Sequence, residues 1–116
     1  MRRRKPGKDY CILPGGGVEL DESFEDACIR EVKEETGLDV TGLRQVRVFY
    51  SADEQDVYFL ASVLPGEPVL GGVEARRHSP RDHFSFEWAS LDELAGKNLQ
   101  PLAARRICME VLGKPA

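Results

Sequence analysis

Three glutamates stand close together in the first third of the chain: Glu31, Glu34 and Glu35. Their i, i+3, i+4 spacing places all three within about 100° of one face if the segment is helical. Carboxylates this close repel one another when ionised, so either one of them stays protonated or all three ionise around a divalent cation. Oxygen ligands select hard cations, Mg²⁺ or Mn²⁺ ahead of Ca²⁺, and Mg²⁺ also binds phosphate oxygens. The cluster therefore predicts a metal site that serves a phosphorylated substrate.

An arginine and a run of glycines precede these glutamates. Arg30 lies four residues before Glu34 on the same side of the helix, so its guanidinium can hold Glu34, and also Glu22 from the preceding loop, through a bidentate fork. The glycines at 15–17 let the backbone come close to a metal ion or to phosphates. The run is not a P-loop, because no Gly-Lys-Ser/Thr follows. It is not a dinucleotide fingerprint either, because Leu20 stands where the third glycine would be.

Composition and charge narrow the class of protein. The 116 residues carry a net charge of −4, and residues 15–39 hold nine acidic side chains against Arg30 and Lys33 alone. A nucleic-acid binder needs a basic face, so we expect no specific nucleic-acid partner. A solvated acidic helix remains the alternative explanation of this segment.

Three further features concern the compartment. No apolar run approaches the roughly 20 residues of a membrane span, so we expect no membrane association. The basic start of the chain is not followed by the apolar segment of a signal peptide. Three widely spaced cysteines favour a reducing environment over a disulfide framework. Together these features predict a cytoplasmic protein.

The periodicity predicts a mixture of helices and strands in one domain. A helix is expected from Ser23, a good N-cap, to Thr36, with Gly37 in the position of a left-handed C-terminal cap. Phe24, Cys28 and Val32 form its apolar stripe. Apolar and alternating segments predict strands, and two further helices follow, so the fold class is α+β with a mixed sheet. The remaining predicted elements are strands at 10–13, 45–50, 57–63 (a buried one) and 83–88, a capping box at Ser90–Glu93 and a last helix after Pro101.

The start of the chain predicts a hairpin that lacks most of one arm. The sequence from Lys5 to Lys8 is turn-like and leads into the strand at Tyr10, but only Arg2, Arg3 and Arg4 precede the turn. We therefore expect an N-terminal strand to be missing or truncated, with its place taken by a partner or left as an exposed sheet edge.

The residues around the glutamates match a known motif. The segment resembles the Nudix box, Gly-x5-Glu-x7-Arg-Glu-U-x-Glu-Glu-x-Gly-U, in which U is aliphatic. A looser similarity to the end of a MutT-type Nudix domain continues through 87–94 and 98–101, so the resemblance covers about residues 2–112. It implies a single Nudix domain over residues 1–116, folded as an α/β/α sandwich with a mixed sheet. Every fixed position of the motif is filled: Gly16, Glu22, Arg30, Glu31, Val32, Glu34, Glu35, Gly37 and Leu38.

The resemblance implies an Mg²⁺- or Mn²⁺-dependent pyrophosphohydrolase. Its substrate would be a nucleoside diphosphate linked to another group X, of the nucleotide or nucleotide-sugar type. The alternative is a catalytically impaired Nudix-fold module that binds a nucleotide or a partner, and a homodimer is also kept open. A Ca²⁺ sensor is disfavoured, because the glutamates lie on a helix rather than in a twelve-residue loop.

Roles follow from the resemblance residue by residue. Glu31, Glu34 and Glu35 would bind the metal, together with the Gly15 carbonyl. The catalytic candidates are Arg30, Glu34, Glu35 and Glu74, and the general base is either a glutamate of the motif or Glu74 from a later loop. Gly16, Glu22 and Gly37 would support the site rather than touch the substrate.

Other notable residues have simpler explanations. His78 and His83 are more typical of surface loops than of acid–base groups. Phe84 and Trp88 alternate as core aromatic residues of a strand would. The basic residues 2–5 are expected to be a charged strand end rather than a phosphate-binding patch.

Overall fold

The computed structural model describes residues 1–69, 71, 78–79 and 83–113. The chain divides into two compact units, and each is described by itself: the first is formed by residues 1–14 together with 70–116, and the second by residues 15–69. The predictions of a single domain over 1–116 and of sandwich packing stay predictions. The elements are β1 (Arg2–Lys5), β2 (Lys8–Ile12), α1 (Phe24–Thr36), β3 (Val40–Tyr50), β4 (Gln55–Val63), β5 (His83–Ser85), a 3₁₀ helix (Leu91–Gly96), β6 (Leu99–Gln100) and α2 (Leu102–Leu112).

A four-stranded sheet organises the first unit, in the order β5-β1-β2-β6. β1 is antiparallel to both β2 and β5, whereas β2 is parallel to β6. The mixed sheet predicted from the sequence is therefore present. β6 was not predicted, because it has two residues and is defined by its pairing with β2.

The N-terminal hairpin has both of its arms. β1 pairs with β2 over its whole length, from Arg2 opposite Cys11 to Lys5 opposite Lys8. Gly7 supplies the left-handed backbone of the turn, at a φ of 76°. The structure does not confirm the expected missing strand, because the four basic residues that precede the turn form β1 themselves.

Ion pairs hold the basic strand in place. Arg2 Nε lies 2.8 Å from Glu87 Oε1, Lys97 Nζ lies 3.0 Å from Glu87 Oε2, and Arg2 Nη1 lies 3.5 Å from Asp9 Oδ2. The hydrogen bond from Lys97 and the charge of Arg2 hold the pKa of Glu87 below its usual range. Residues 2–5 therefore form a whole strand with a neighbour on each side, rather than the charged strand end that the sequence predicts.

The core of the first unit combines the sheet with α2. Cys11 and Leu99 are buried opposite each other on β2 and β6, and Ala104 and Ile107 are buried on α2. Cys11, like the other two cysteines, is a free thiol. α2 begins after Pro101, as the sequence predicts.

The alternation of aromatic residues from Phe84 to Trp88 predicts a longer strand than the structure has. Phe84 is buried in β5, but β5 ends at Ser85 and Trp88 is 65% exposed. The prediction of a strand as far as Trp88, with that residue in the core, is therefore wrong. His78 Nδ1 accepts a hydrogen bond from the Phe84 N–H at 3.1 Å, and its ring lies 4.6 Å from that of His83. This bond ties His78 to the edge strand of the sheet.

The second unit contains α1 and the antiparallel pair β3–β4. The pair runs from Val40 opposite Val63 to Tyr50 opposite Gln55, with irregularities in β3. β4 was predicted to be buried, but its central residues are only half-buried and both ends are exposed. Within the described residues β3 is its one strand neighbour, so an apolar run here does not produce full burial.

The buried face of α1 differs in part from its predicted apolar stripe. Val32 is buried as expected, but Phe24 is exposed and Cys28 is half-buried. The fully buried positions include two polar residues, Glu35 and Thr36. No helix in the described parts of the chain has the length and apolarity needed to cross a bilayer.

Candidate functional site

Helix α1 begins and ends where its capping residues predict. Ser23 Oγ accepts a hydrogen bond from the Asp26 N–H at 3.0 Å, which satisfies one free donor of the first turn. Gly37 has a φ of 73° and donates its N–H to the Lys33 carbonyl at 2.9 Å. The three glutamates therefore lie in the last two turns of a helix fixed at both ends.

Arg30 is the centre of the carboxylate cluster. Its Nε and Nη2 donate to the two oxygens of Glu22 at 2.8 and 3.0 Å, a bidentate pair. Its Nη1 donates to Glu31 Oε1 at 2.8 Å and to Glu34 Oε2 at 3.2 Å. Nη2 also donates to the Gly17 carbonyl at 2.9 Å. One guanidinium thus joins the helix to the preceding loop, and the fork is on Glu22 rather than on Glu34.

The Arg30–Glu22 pair changes the proton affinity of both groups. The hydrogen bond from Arg30, followed by one from the Glu19 N–H, holds the pKa of Glu22 below its usual range. The hydrogen bonds to Glu22 and Glu31 raise the pKa of Arg30 above its usual range. The pair is therefore ionised at neutral pH, and Arg30 keeps its full positive charge beside the glutamates.

A tight turn places Glu22 beside Arg30. The Glu22 N–H donates to the Glu19 carbonyl at 3.1 Å, and the Glu19 N–H returns to Glu22 Oε1 at 3.0 Å. Asp21 adopts the left-handed region at a φ of 63°. We did not predict this turn, although aspartate is among the few non-glycine residues that visit this region readily.

The glycine loop lies directly against two of the glutamates. The Gly15 N–H donates to Glu35 Oε2 at 3.1 Å. A Cβ on Gly16 would lie 2.5 Å from Glu31 Cδ, so only glycine leaves room for that carboxylate. The predicted metal-binding role of the Gly15 carbonyl stays a prediction, since the contact seen here is made by its N–H.

The three carboxylates differ in exposure. Glu35 is 7% exposed, and the side chains of Glu31 and Glu34 are 17% and 53% exposed. In the described part of the chain no group of three or more His, Cys, Asp or Glu side chains is arranged to hold a metal ion. Glu31 and Glu34 instead face Arg30, and Glu35 faces Gly15.

The donor set nevertheless suits a hard divalent cation. All three groups are carboxylates on adjacent turns of one helix, and the space beside Glu31 is kept open by Gly16. Arg30 takes one oxygen of Glu31 and one of Glu34, so each of these carboxylates keeps a second oxygen that could bind an ion. Glu74, the remaining catalytic candidate, lies outside the described residues. The predicted catalytic and metal-binding roles all stay predictions.

The fold and the motif agree with a known family. The model of the NUDIX domain matches residues 1–109. The chain belongs to the Nudix family.

Two relatives show how similar the chain is to proteins with a stated activity. The ADP-ribose pyrophosphatase of Methanocaldococcus jannaschii is 37% identical in an alignment of length 111 that covers 84% of this chain and 64% of the relative. A putative 8-oxo-dGTP diphosphatase of Bacillus subtilis is 37% identical over 65 residues, 53% of this chain and 43% of the relative. In both cases the chain spans less than two thirds of the length of the relative.

Solved structures show the same fold. A structure from a study of MutT from Aliivibrio salmonicida and Vibrio cholerae aligns with a TM-score of 0.70 at 23% identity, covering 97% of this chain and 83% of that one. The MutT protein of Methanosarcina mazei aligns with a TM-score of 0.61 at 24% identity, covering 94% and 78%. The fold is therefore an α+β Nudix-like fold with a mixed sheet.

Proposed function

We propose that this chain is a divalent-metal-dependent pyrophosphohydrolase that acts on a nucleoside diphosphate linked to another group. The observation that carries the proposal is the arrangement around Arg30, which joins Glu22, Glu31 and Glu34 while the glycine loop lies against Glu31 and Glu35. A solvated acidic helix would not need a loop folded onto its carboxylates or an arginine that gathers them.

The proposed reaction divides three tasks among the residues of the site: metal binding, positioning of the loop and proton transfer. Glu31, Glu34 and Glu35 would hold the cation, Mg²⁺ or Mn²⁺, which would supply positive charge to offset the charge that builds on the phosphoryl oxygens. Arg30 keeps its contact with Glu22 and so maintains the position of the loop. A general base, either a motif glutamate or Glu74, takes a proton from the attacking water. The water oxygen bonds to one phosphorus, the P–O–P bond breaks, and two phosphorylated products leave.

The names of the relatives support this class of substrate. One is called an ADP-ribose pyrophosphatase and the other a putative 8-oxo-dGTP diphosphatase, and both named substrates contain a phosphoric anhydride in a nucleotide. We take this shared chemistry, rather than either compound, as the proposed specificity. The alternative of an impaired binding module rested on a missing N-terminal arm, and β1 is present and paired on both sides.

Product analysis tests the proposal. Purified chain is incubated with ADP-ribose, 8-oxo-dGTP and unmodified nucleotides, with Mg²⁺, with Mn²⁺ or with a chelator, and the phosphorylated products are separated by chromatography. We expect metal-dependent cleavage of at least one compound, lost by orders of magnitude in Glu34→Gln and Glu35→Gln. The matched control is Glu25→Gln, an exposed carboxylate in the first turn of the same helix. Products that appear equally with the chelator, or in Glu35→Gln, would overturn the proposal.

A further inference from the structure

The side chain of Thr36 makes two hydrogen bonds at the end of α1. Its Oγ1 donates to the Val32 carbonyl at 2.6 Å and accepts from the Leu38 N–H at 3.1 Å. Thr36 is 5% exposed, so these bonds are made away from water. The hydroxyl therefore joins the last turn of the helix to the residue that leaves it, across Gly37.

The backbone of Thr36 binds a third segment. Its carbonyl accepts a hydrogen bond from the Val69 N–H at 2.7 Å. Val69 also lies close to Gly37, with its Cβ 3.9 Å from the position that a Gly37 Cβ would take. Thr36 thus makes hydrogen bonds to the last turn of the helix, to Leu38 just after it, and to Val69 in the segment that follows β4.

Helix capping alone does not explain this arrangement. Gly37 already closes the helix through its own N–H, and Lys33 Nζ donates to the Gly37 carbonyl at 3.2 Å. The hydroxyl bonds of Thr36 are added to a helix end that is already capped. They connect Val32 and Leu38, the residues on either side of the turn that carries Glu34 and Glu35.

We propose that Thr36 is a positioning residue for the glutamate pair, an inference that rests on the proposed function. Glu35 is buried immediately before Thr36, and its carboxylate reaches the Gly15 N–H at 3.1 Å. Without the hydroxyl, the Leu38 N–H loses its acceptor in a buried position, and the last turn shifts to find another. The Glu35 carboxylate then moves away from Gly15 and from the place where a cation would be held.

Three variants separate positioning from general stability. Thr36→Val keeps the volume and removes both hydroxyl bonds, whereas Thr36→Ser keeps the bonds. Thr41→Val makes the same change at an exposed position of β3 and serves as the control. All rates are measured well below the melting temperature of each variant, so a role in stability alone would leave them unchanged.

We expect Thr36→Val to lower kcat about tenfold or more and to raise the Mg²⁺ concentration for half-maximal rate, because small displacements of reacting groups lower rates steeply. Thr36→Ser and Thr41→Val should stay close to wild type. Wild-type kcat and metal dependence in a folded Thr36→Val would overturn the inference while leaving the proposed function intact. If Thr36→Val does not fold, Thr36→Ser decides: wild-type values support the inference, and a tenfold loss contradicts it.

A second readout does not depend on activity. Amide hydrogen exchange of Gly15 in the metal-free protein reports the bond to Glu35 directly. We expect faster exchange in Thr36→Val, while Thr36→Ser and Thr41→Val match wild type. If the wild-type chain shows no hydrolysis, the proposed function fails, and the exchange of Gly15 still tests the positioning. Unchanged exchange in folded Thr36→Val would contradict it.

Discussion

Glu35, near the end of α1, is fixed by Gly15, which lies 20 residues earlier in the chain. Its Oε2 accepts the Gly15 N–H at 3.1 Å, and Glu35 itself is 7% exposed. A buried carboxylate needs hydrogen-bond donors or positive charge, and here the glycine loop supplies a donor. The loop and the helix therefore form one structural unit around the carboxylates.

Gly16→Ala is the sharpest test of the loop. The new Cβ would meet the Glu31 carboxylate at 2.5 Å, and Glu31 would have to rotate away. Because the displaced group is the end of a flexible side chain, we expect a stability loss of only about 1 kcal/mol, but a large loss of metal-dependent hydrolysis. Gly17→Ala is the control, since nothing lies within 4 Å of the Cβ that it would add. Equal activity in the two variants would contradict this role of Gly16.

The Arg30–Glu22 ion pair makes the free energy of unfolding depend on pH in the acidic range. The folded pKa of Glu22 is lowered, mainly by Arg30, so the contribution of the pair is complete above the ordinary glutamate pKa of about 4.3 and is lost as the pH falls through the lowered value. We expect Glu22→Gln to reduce the decrease in the free energy of unfolding at low pH, measured by urea titration at a series of pH values. Glu54→Gln, in the exposed β3–β4 turn, should show the same decrease as wild type. A decrease of wild-type size in Glu22→Gln would show that other carboxylates cause it.

The left-handed backbone of Asp21 predicts which substitutions the turn tolerates. Valine at this position should destabilise the fold by about 1–2 kcal/mol, because a β-branched side chain clashes at a φ of 63°. Asp21→Gly should be nearly neutral, since glycine relaxes the strain but adds unfolded-state freedom. Asp53→Val, in a turn without left-handed backbone, is the control in thermal unfolding. Equal melting temperatures of Asp21→Val and Asp21→Gly would contradict the prediction that the left-handed backbone at this position is strained.

A bound cation should also stabilise the folded chain. Ligand binding to the native state adds about 2.7 kcal/mol at one hundred times Kd, and a cation also relieves repulsion among Glu31, Glu34 and Glu35. We expect Mg²⁺ to raise the melting temperature of wild type but not of Glu35→Gln, with NaCl at the same ionic strength as control. A Mg²⁺-dependent rise of equal size in Glu35→Gln would show that the ion binds elsewhere.

Features set by neighbouring residues could be predicted from the sequence. The bounds of α1 follow from Ser23 and Gly37, which act through their own side chain and backbone. The capping box at Ser90 is present for the same reason: its N–H donates to the Glu93 carboxylate at 3.0 Å.

Features set by distant pairing could not be predicted. Residues 2–5 are all basic and carry no apolar alternation, yet they form a strand because β2 and β5 lie on either side. Trp88 continues the alternation of aromatic residues that begins at Phe84, but β5 ends at Ser85 and Trp88 is exposed. In the site, the motif indicates which residues are used, but the turn at Asp21 places Glu22 where it takes the bidentate contact of Arg30, and Glu34 receives a single hydrogen bond of 3.2 Å.

Titration calorimetry with Mn²⁺ tests the central claim most directly, in the presence of a non-hydrolysable diphosphate analogue. The account predicts metal uptake by the wild-type chain and uptake at least about tenfold weaker in Glu35→Gln, because that variant loses a charged oxygen ligand. No uptake by the wild type, or equal uptake by both proteins, would contradict the claim that these glutamates hold a cation.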